Sequence, residues 1–288
     1  MKKYFLTLDL EEWYHLEYLK EFKDVIGSNQ RFAPEVIPFL KKMAQEGVYL
    51  TVFVLEEVAK SNPEVVGEIA KMGHEVACHG KQHELVYEVK TEEFRKIIGE
   101  SKKTLEEITG QPVKGYRAPC FSMENEKLDV LWDLGFKYDA SLIRFKEHKL
   151  YNVMDMSSFE KVESMIYRRE YKYEFETPTL DIMGKSIPIS GGGYFRLFPL
   201  WLMKYFMKKH WEKEDNFIFY IHPFEVVGET LDNGKKMGKK NYFRFQVGRP
   251  TLQKKLLKYI KWLKKQDVEF MKFEDYIGKE TGKEGMNL

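Results

Sequence analysis

Short apolar runs alternate with amphipathic stretches along most of the chain. Residues 4–10, 48–55, 74–79, 113–118, 138–142, 217–222 and 268–273 have the length and apolar content of buried strands. Between them, 34–46, 63–72, 92–109, 122–134, 199–210 and 251–265 place apolar side chains at helical spacing. Val36, Ile37, Leu40, Met43 and Ala44 form one such face, and Gly47 follows as a stop signal. Asn62 before Pro63 and Ser122 before the fourth amphipathic stretch read as N-caps, with Gly73, Gly110 and Gly135 as ends. This alternation predicts a mostly parallel sheet or barrel. Only 144–175 breaks the rhythm: polar, aromatic and irregular, it reads as an inserted lobe, about 144–177, over the barrel mouth. The polar tail from Gly278 is expected to fray. No repeat or linker divides the chain, so one domain over 1–288 is expected.

The chemistry-bearing residues fall at the ends of these strands, where α/β barrels keep their active sites. Strand 4–10 ends in Asp9-Leu10-Glu11, whose alternation points both carboxylates the same way if the strand persists. Strand 74–79 delivers His79, and Gly80 starts a turn that brings His83 back beside it. Two imidazoles four residues apart can clamp one metal ion, although two unrelated surface histidines fit the spacing as well. Strand 217–222 delivers His222 ahead of Pro223-Phe224-Glu225. The run Gly191-Gly192-Gly193-Tyr194-Phe195-Arg196 permits either close backbone approach to a ligand or a tight turn, and it lacks the lysine and hydroxyl of a phosphate loop.

Composition narrows the function classes. With 47 basic and 45 acidic residues, net charge +2, there is no strongly basic field, and electrostatics alone do not suggest nucleic acid. The basic and aromatic stretch 234–249 then reads as a solvated loop or a contact to an anionic glycan. Aromatics make up 15% of the chain, enough for a core and for stacking on flat faces such as sugar rings. Cys78 and Cys120 are too few for a disulfide framework or a multi-thiolate zinc site. The apolar start of the chain is interrupted by Asp9, Glu11 and Glu12, unlike a secretory signal, and no window reaches the ~20 apolar residues of a membrane span. A cytoplasmic protein is expected.

With the strand ends aligned, the chain resembles the polysaccharide deacetylase family, the NodB-homology carbohydrate esterases. Thr7-Leu8-Asp9-Leu10-Glu11, His79-Gly80-Lys81-Gln82-His83, Arg117-Ala118-Pro119 and Ile221-His222-Pro223 stand for its motifs, in family order across most of the chain. The Asp-x-Glu-x-Trp start, Gly-Gly-Gly-Tyr-Phe-Arg and His-Pro-Phe-Glu are similar to the exopolysaccharide-locus deacetylase branch, which makes the glycine run a site wall. The resemblance implies a distorted, incomplete (β/α) barrel of the NodB-homology type. It departs from the commoner pattern where two adjacent aspartates are expected, and the usual Asp-Trp motif that orients the last histidine is missing, with Glu225 or a residue of the insertion as substitute.

The resemblance further implies a divalent metal, zinc first, held by Glu11, His79 and His83, with a position left open for water. Asp9 is then the general base, Arg117 its partner, His222 the acid that protonates the leaving amine, and the N–H of Cys120 the oxyanion donor. Trp13, Tyr194 and Phe224 are candidate walls of a sugar cleft, and Arg196 a contact to an acidic group. The implied activity is removal of N-acetyl groups from an amino sugar in a glycan. The alternatives are a related amidohydrolase acting on a cyclic imide or ureide, and a carbohydrate-binding homologue without turnover.

Overall fold

The computed structural model describes the chain except residues 28, 144, 146–150, 152–153, 183 and 286–288. Its strands are β1 (Lys2–Leu10), β2 (Thr51–Val54), β3 (Glu75–Cys78), β4 (Gly115–Tyr116), β5 (Tyr138–Ile143), β6 (Glu160–Glu163), β7 (Ile166–Arg169), β8 (Lys172–Thr177), β9 (Thr179–Ile182), β10 (Lys185–Pro188), β11 (Phe217–Ile221) and β12 (Val268–Phe270). Ten of them form one sheet in the order β11-β1-β2-β3-β4-β5-β8-β7-β6, with β12 beside β1. From β11 to β8 neighbours run parallel, and β8, β7 and β6 run antiparallel. The sheet curls but β11 and β6 do not pair, so the barrel is incomplete, as expected.

Alternation along each strand sorts side chains between two cores. On β1, Tyr4, Leu6, Leu8 and Leu10 pack toward the surrounding helices, while Phe5 joins an inner cluster with Phe53, Ala77, Tyr138, Phe175 and Ile218. Thr7 and Asp9 continue the inner row toward the strand's C-terminal end. The helices Ile37–Gln45, Pro63–Lys71, Thr91–Thr109, Leu200–His210 and Leu252–Leu263 form the outer layer, each burying its apolar stripe.

Several local expectations change. Residues 160–177, expected to be irregular, form β6, β7 and β8 and extend the sheet; the earlier part of that stretch at 144, 146–150 and 152–153 lies outside the described residues. The tail does not fray at Gly278: a helix runs Phe273–Gly285, and Phe273, Tyr276 and Ile277 fill the inner cluster around Phe5. Ser122 caps no helix. Its hydroxyl accepts from the Val86 N–H (2.9 Å) and donates to the Pro119 carbonyl (2.6 Å), and the helix begins at Asn125. No helix among the described residues is long and apolar enough to cross a membrane.

Candidate active site

The strand ends of β1, β3, β4 and β11 open into a cavity of about 300 Å³, within the range of small-molecule sites. Asp9, Glu11, His79, His83, Arg117, Cys120 and His222 all line it. β1 stops at Leu10, and the Glu11 N–H turns back onto the Asp9 carbonyl (3.0 Å), yet both carboxylates face the cavity. The next acid, Glu12, points elsewhere and accepts from the Phe32 and Ala33 N–H groups (2.7 and 3.3 Å). Three lining residues other than glycine, His83 (φ 65°), Cys120 (φ 51°) and Phe121 (φ 53°), hold left-handed backbone, the local strain that gathers at functional sites.

Glu11, His79 and His83 each present one potential ligand atom, and these lie within 4.8 Å of one another. His79 Nδ1 lies 2.8 Å from the Arg117 carbonyl oxygen. A carbonyl only accepts, so Nδ1 carries the proton and Nε2 keeps its lone pair for the cavity. Burial pushes His79 down to about 4, so its ring is neutral at pH 7. Glu11 Oε2 faces His83 Nε2 at 2.9 Å, yet Glu11 Oε2 and His83 Nδ1 are both buried without a well-formed hydrogen bond. An orphaned buried carboxylate oxygen is costly, and a small divalent cation among these three donors would satisfy it, so the residues fit a metal. A second trio, Glu17, His83 and Cys120, shares His83 with the first. Burial pushes the Cys120 thiol up, which makes it the poorer ligand set.

Without a cation, charge compensation among these side chains governs protonation. Burial opposes charge on Glu11, but His83, His222 and His79 outweigh it and hold the carboxyl well below the usual range. Burial also opposes charge on His83, yet the Glu11 carboxylate lifts it to about 9. A metal would take the place of that shared proton and release it.

Two ion pairs flank the three donors. Arg117 is fully buried, donates from Nη1 to Asp9 Oδ1 and to Thr7 Oγ1 (2.8 Å each) and from Nε to the Ala140 carbonyl (3.1 Å), and lies 4.1 Å over the Phe53 ring. One residue therefore fixes Asp9 with its side chain and His79 with its carbonyl. On the other side His222 Nδ1 lies 3.2 Å from Glu225 Oε2, which also accepts from the His222 N–H (3.1 Å). Burial opposes charge on His222, and Glu225 overcomes it, raising the ring to about 9. Glu225 is in turn held by Arg196 Nε at 2.9 Å. Glu225 thus occupies the orienting role for which the sequence offered two candidates. Its position three residues after an N-terminal cap residue is the signature of a capping box, and that box is formed here.

The expected cleft residues divide. Tyr194 and Phe224 line the cavity. Trp13 does not: it is 0% exposed in the helix-side core and donates to the Gln30 carbonyl (3.3 Å), because the turn after Glu11 points it inward. Arg196 borders the cavity but is consumed by Glu225 and by the carbonyls of Arg244, Phe245 and Val247 (3.3, 2.9 and 2.9 Å). Its Nε and Nη1 are thus taken up by the chain itself. The glycine run is a wall, since Gly191 and Gly193 line the cavity. A Cβ on Gly192 would stand 2.0 Å from Glu225 Oε2, so close approach rather than turn geometry explains that glycine. Tyr18, Tyr151, Tyr220 and Arg244 also line the cavity, and no motif marked them.

The family model described as Polysaccharide deacetylase matches residues 22–138, and one described as Domain of unknown function (DUF3473) matches residues 141–278. A peptidoglycan deacetylase of Helicobacter pylori is 28% identical over 103 residues, covering 36% of this chain and 35% of that protein. The chain spans about a third of the length of the curated relatives it matches. Among solved structures, one described as a polysaccharide deacetylase of Mycobacterium smegmatis superposes with TM-score 0.67 at 21% identity, over 98% of this chain and 92% of that one. An allantoinase superposes with TM-score 0.60 at 16% identity, over 96% and 88%. Both likenesses establish the fold.

Proposed function

Because this chain belongs to the polysaccharide deacetylase family, we propose that it is a metal-dependent hydrolase that removes N-acetyl groups from an amino sugar of a polysaccharide or oligosaccharide. The observation that carries the reading is the convergence of Glu11, His79 and His83 between the Asp9–Arg117 and His222–Glu225 pairs in one cavity. Glu11, His79 and His83 would hold the metal. A divalent ion there, zinc in this reading, supplies Lewis-acid polarisation of the acetamide carbonyl and acidifies the attacking water.

The chain's own residues do the rest. Asp9, fixed through Oδ1 by Arg117, takes the proton of the attacking water. The N–H of Cys120, on left-handed backbone at the cavity wall, donates to the oxygen on which negative charge develops, a contribution of about 3 kcal/mol for one such donor. His222, kept protonated by Glu225, gives its proton to the nitrogen as the C–N bond breaks. Water and the amide are consumed, and acetate and a free amine leave. The test is metal content and acetate release from N-acetylated oligosaccharides for wild type and His79→Ala. Metal and acetate lost together in the variant support the reading. Wild type that carries no metal, or a variant that turns over normally, refutes it, and turnover of a cyclic ureide without acetate release favours the allantoinase-like alternative.

A further inference from the structure

Among the described residues four carboxylates face the cavity, and each has a basic partner within the chain: Asp9 has Arg117, Glu11 has His83, Glu17 has Lys20, and Glu225 has Arg196 and His222. Of the three guanidinium groups among the described residues that line it, Arg117 and Arg196 are committed to those pairs. The third, Arg244, has no carboxylate partner among the described residues. It is exposed, and its guanidinium carbon lies 3.9 Å over the Tyr18 ring, which also lines the cavity. Stacking holds the planar group by its face and leaves its N–H edges free to donate.

The element that carries Arg244 repeats the sign. Residues 234–248 hold Lys235, Lys236, Lys239, Lys240 and Arg244 and no acid, in a chain whose total charge is only +2. All five are exposed. Phe245, next to Arg244, is buried against Phe224 (rings stacked at 5.1 Å), so this segment is anchored in the core beside the catalytic His222. A guanidinium left over at the cavity wall, on a segment whose charges are all positive, is built for an anionic group on whatever enters.

We infer that the glycan substrate carries a carboxylate close to the N-acetylated sugar, and that Arg244, stacked on Tyr18, binds it. The inference rests on the deacetylase reading for the identity of the ligand as a glycan, but not on turnover. The test is equilibrium binding by titration calorimetry of an N-acetylated oligosaccharide containing uronic acid residues, against the same oligosaccharide after carboxyl reduction. Wild type should bind the acidic form at least roughly tenfold more tightly, the scale of one charge-assisted contact. Arg244→Ala should abolish the difference between the two forms, and Arg244→Lys should keep part of it, with a salt dependence steeper for the acidic form. Equal affinities in wild type, or a preference that survives Arg244→Ala, would overturn it. Acetate release measured alongside separates the two claims: acid preference without acetate release sinks the deacetylase reading alone, and acetate release without acid preference sinks this one alone.

Discussion

Glu11 and Glu75 are both buried glutamates on the inner side of the same curled sheet, and their protonation goes in opposite directions. Glu11, at the mouth, is held ionised against burial by His83 at 2.9 Å and His222 at 3.6 Å. Glu75, at the start of β3, has three good donors: Thr51 Oγ1 and the Glu274 N–H on one oxygen (2.6 and 3.1 Å) and Tyr138 Oη on the other (2.7 Å). Burial nevertheless lifts it to about 7, with the Glu274 carboxylate adding to the effect. Asp139 and Glu174 form a second interior pair that burial drives the same way. Neutral hydrogen bonds do not replace a full countercharge once a carboxylate leaves water. The mouth holds its carboxylates ionised well below neutral pH, while the interior lifts them toward it.

The harshest way to break this contrast is to remove the charge at the mouth. Glu11→Gln leaves the shape of the side chain and takes away the anion that a metal requires. Metal content should fall to background, and acetate release should drop on the order of a thousandfold, about 4 kcal/mol of barrier. In the metal-free variant His83 should titrate well below 9, because only the longer Glu17 contact (3.6 Å) is left to oppose burial. NMR titration of the ring checks this, and a His83 still protonated at pH 8 would show that Glu11 is not its main partner.

A smaller effect is expected one shell out, at Glu225. In the proposed mechanism His222 acts as the acid only when protonated, and its raised value means that this form persists through neutral pH and is lost as pH rises through about 9. Glu225→Gln should move that alkaline limb toward pH 6.5 and cost 10- to 100-fold at pH 8, with less loss at pH 6. Gly192→Ala should give the same displaced limb more weakly, since its methyl group would collide with the Glu225 carboxylate. A full pH–rate profile distinguishes this from a general loss of folding, which would lower the whole curve without moving the limb.

The mouth was far more legible in the sequence than the pairing that makes it work. Alternation along 4–10 and the strand-end positions of Asp9, His79, Arg117 and His222 follow from period and spacing, which are local. Which cation serves which carboxylate is not local: Arg117 lies 108 residues from Asp9, and Arg196 lies 29 from Glu225. Arg196 therefore looked as free as Arg244, and only packing separates them. Trp13 was ambiguous for a similar reason, as an aromatic beside a motif suits a cleft or a core equally. The strands at 160–177 were hidden because Glu160-Lys161-Val162-Glu163 is a half-exposed antiparallel edge with little apolar signal. The helix Phe273–Gly285 was hidden because only Phe273, Tyr276 and Ile277 of a polar stretch reach the inner cluster.

The gentlest test acts on the interior half of the contrast. Glu75 has a folded value near 7 against 4.5 for an unperturbed glutamate, so the folded state binds the proton more tightly than the unfolded one. Its contribution to stability is complete below about pH 4.5 and is lost as pH rises through 7, roughly 3 kcal/mol in all. Glu75→Gln makes the group neutral at every pH. The amide oxygen can accept from Thr51 and Glu274, while its NH₂ donates to a rotated Tyr138 hydroxyl, so no polar atom is stranded. The variant should match wild type near pH 5 and exceed its Tm by a few degrees at pH 8. Metal-free protein is the right sample, because metal binding carries its own proton release. The residual slope should belong to Asp139 and Glu174 and, above about pH 6.5, to His83 and His222, all of which bind their protons more tightly in the folded state. An undiminished fall in Tm between pH 5 and pH 8 in Glu75→Gln would mean that the three neutral donors suffice to keep Glu75 ionised, and that the mouth and the interior differ by less than their charges imply.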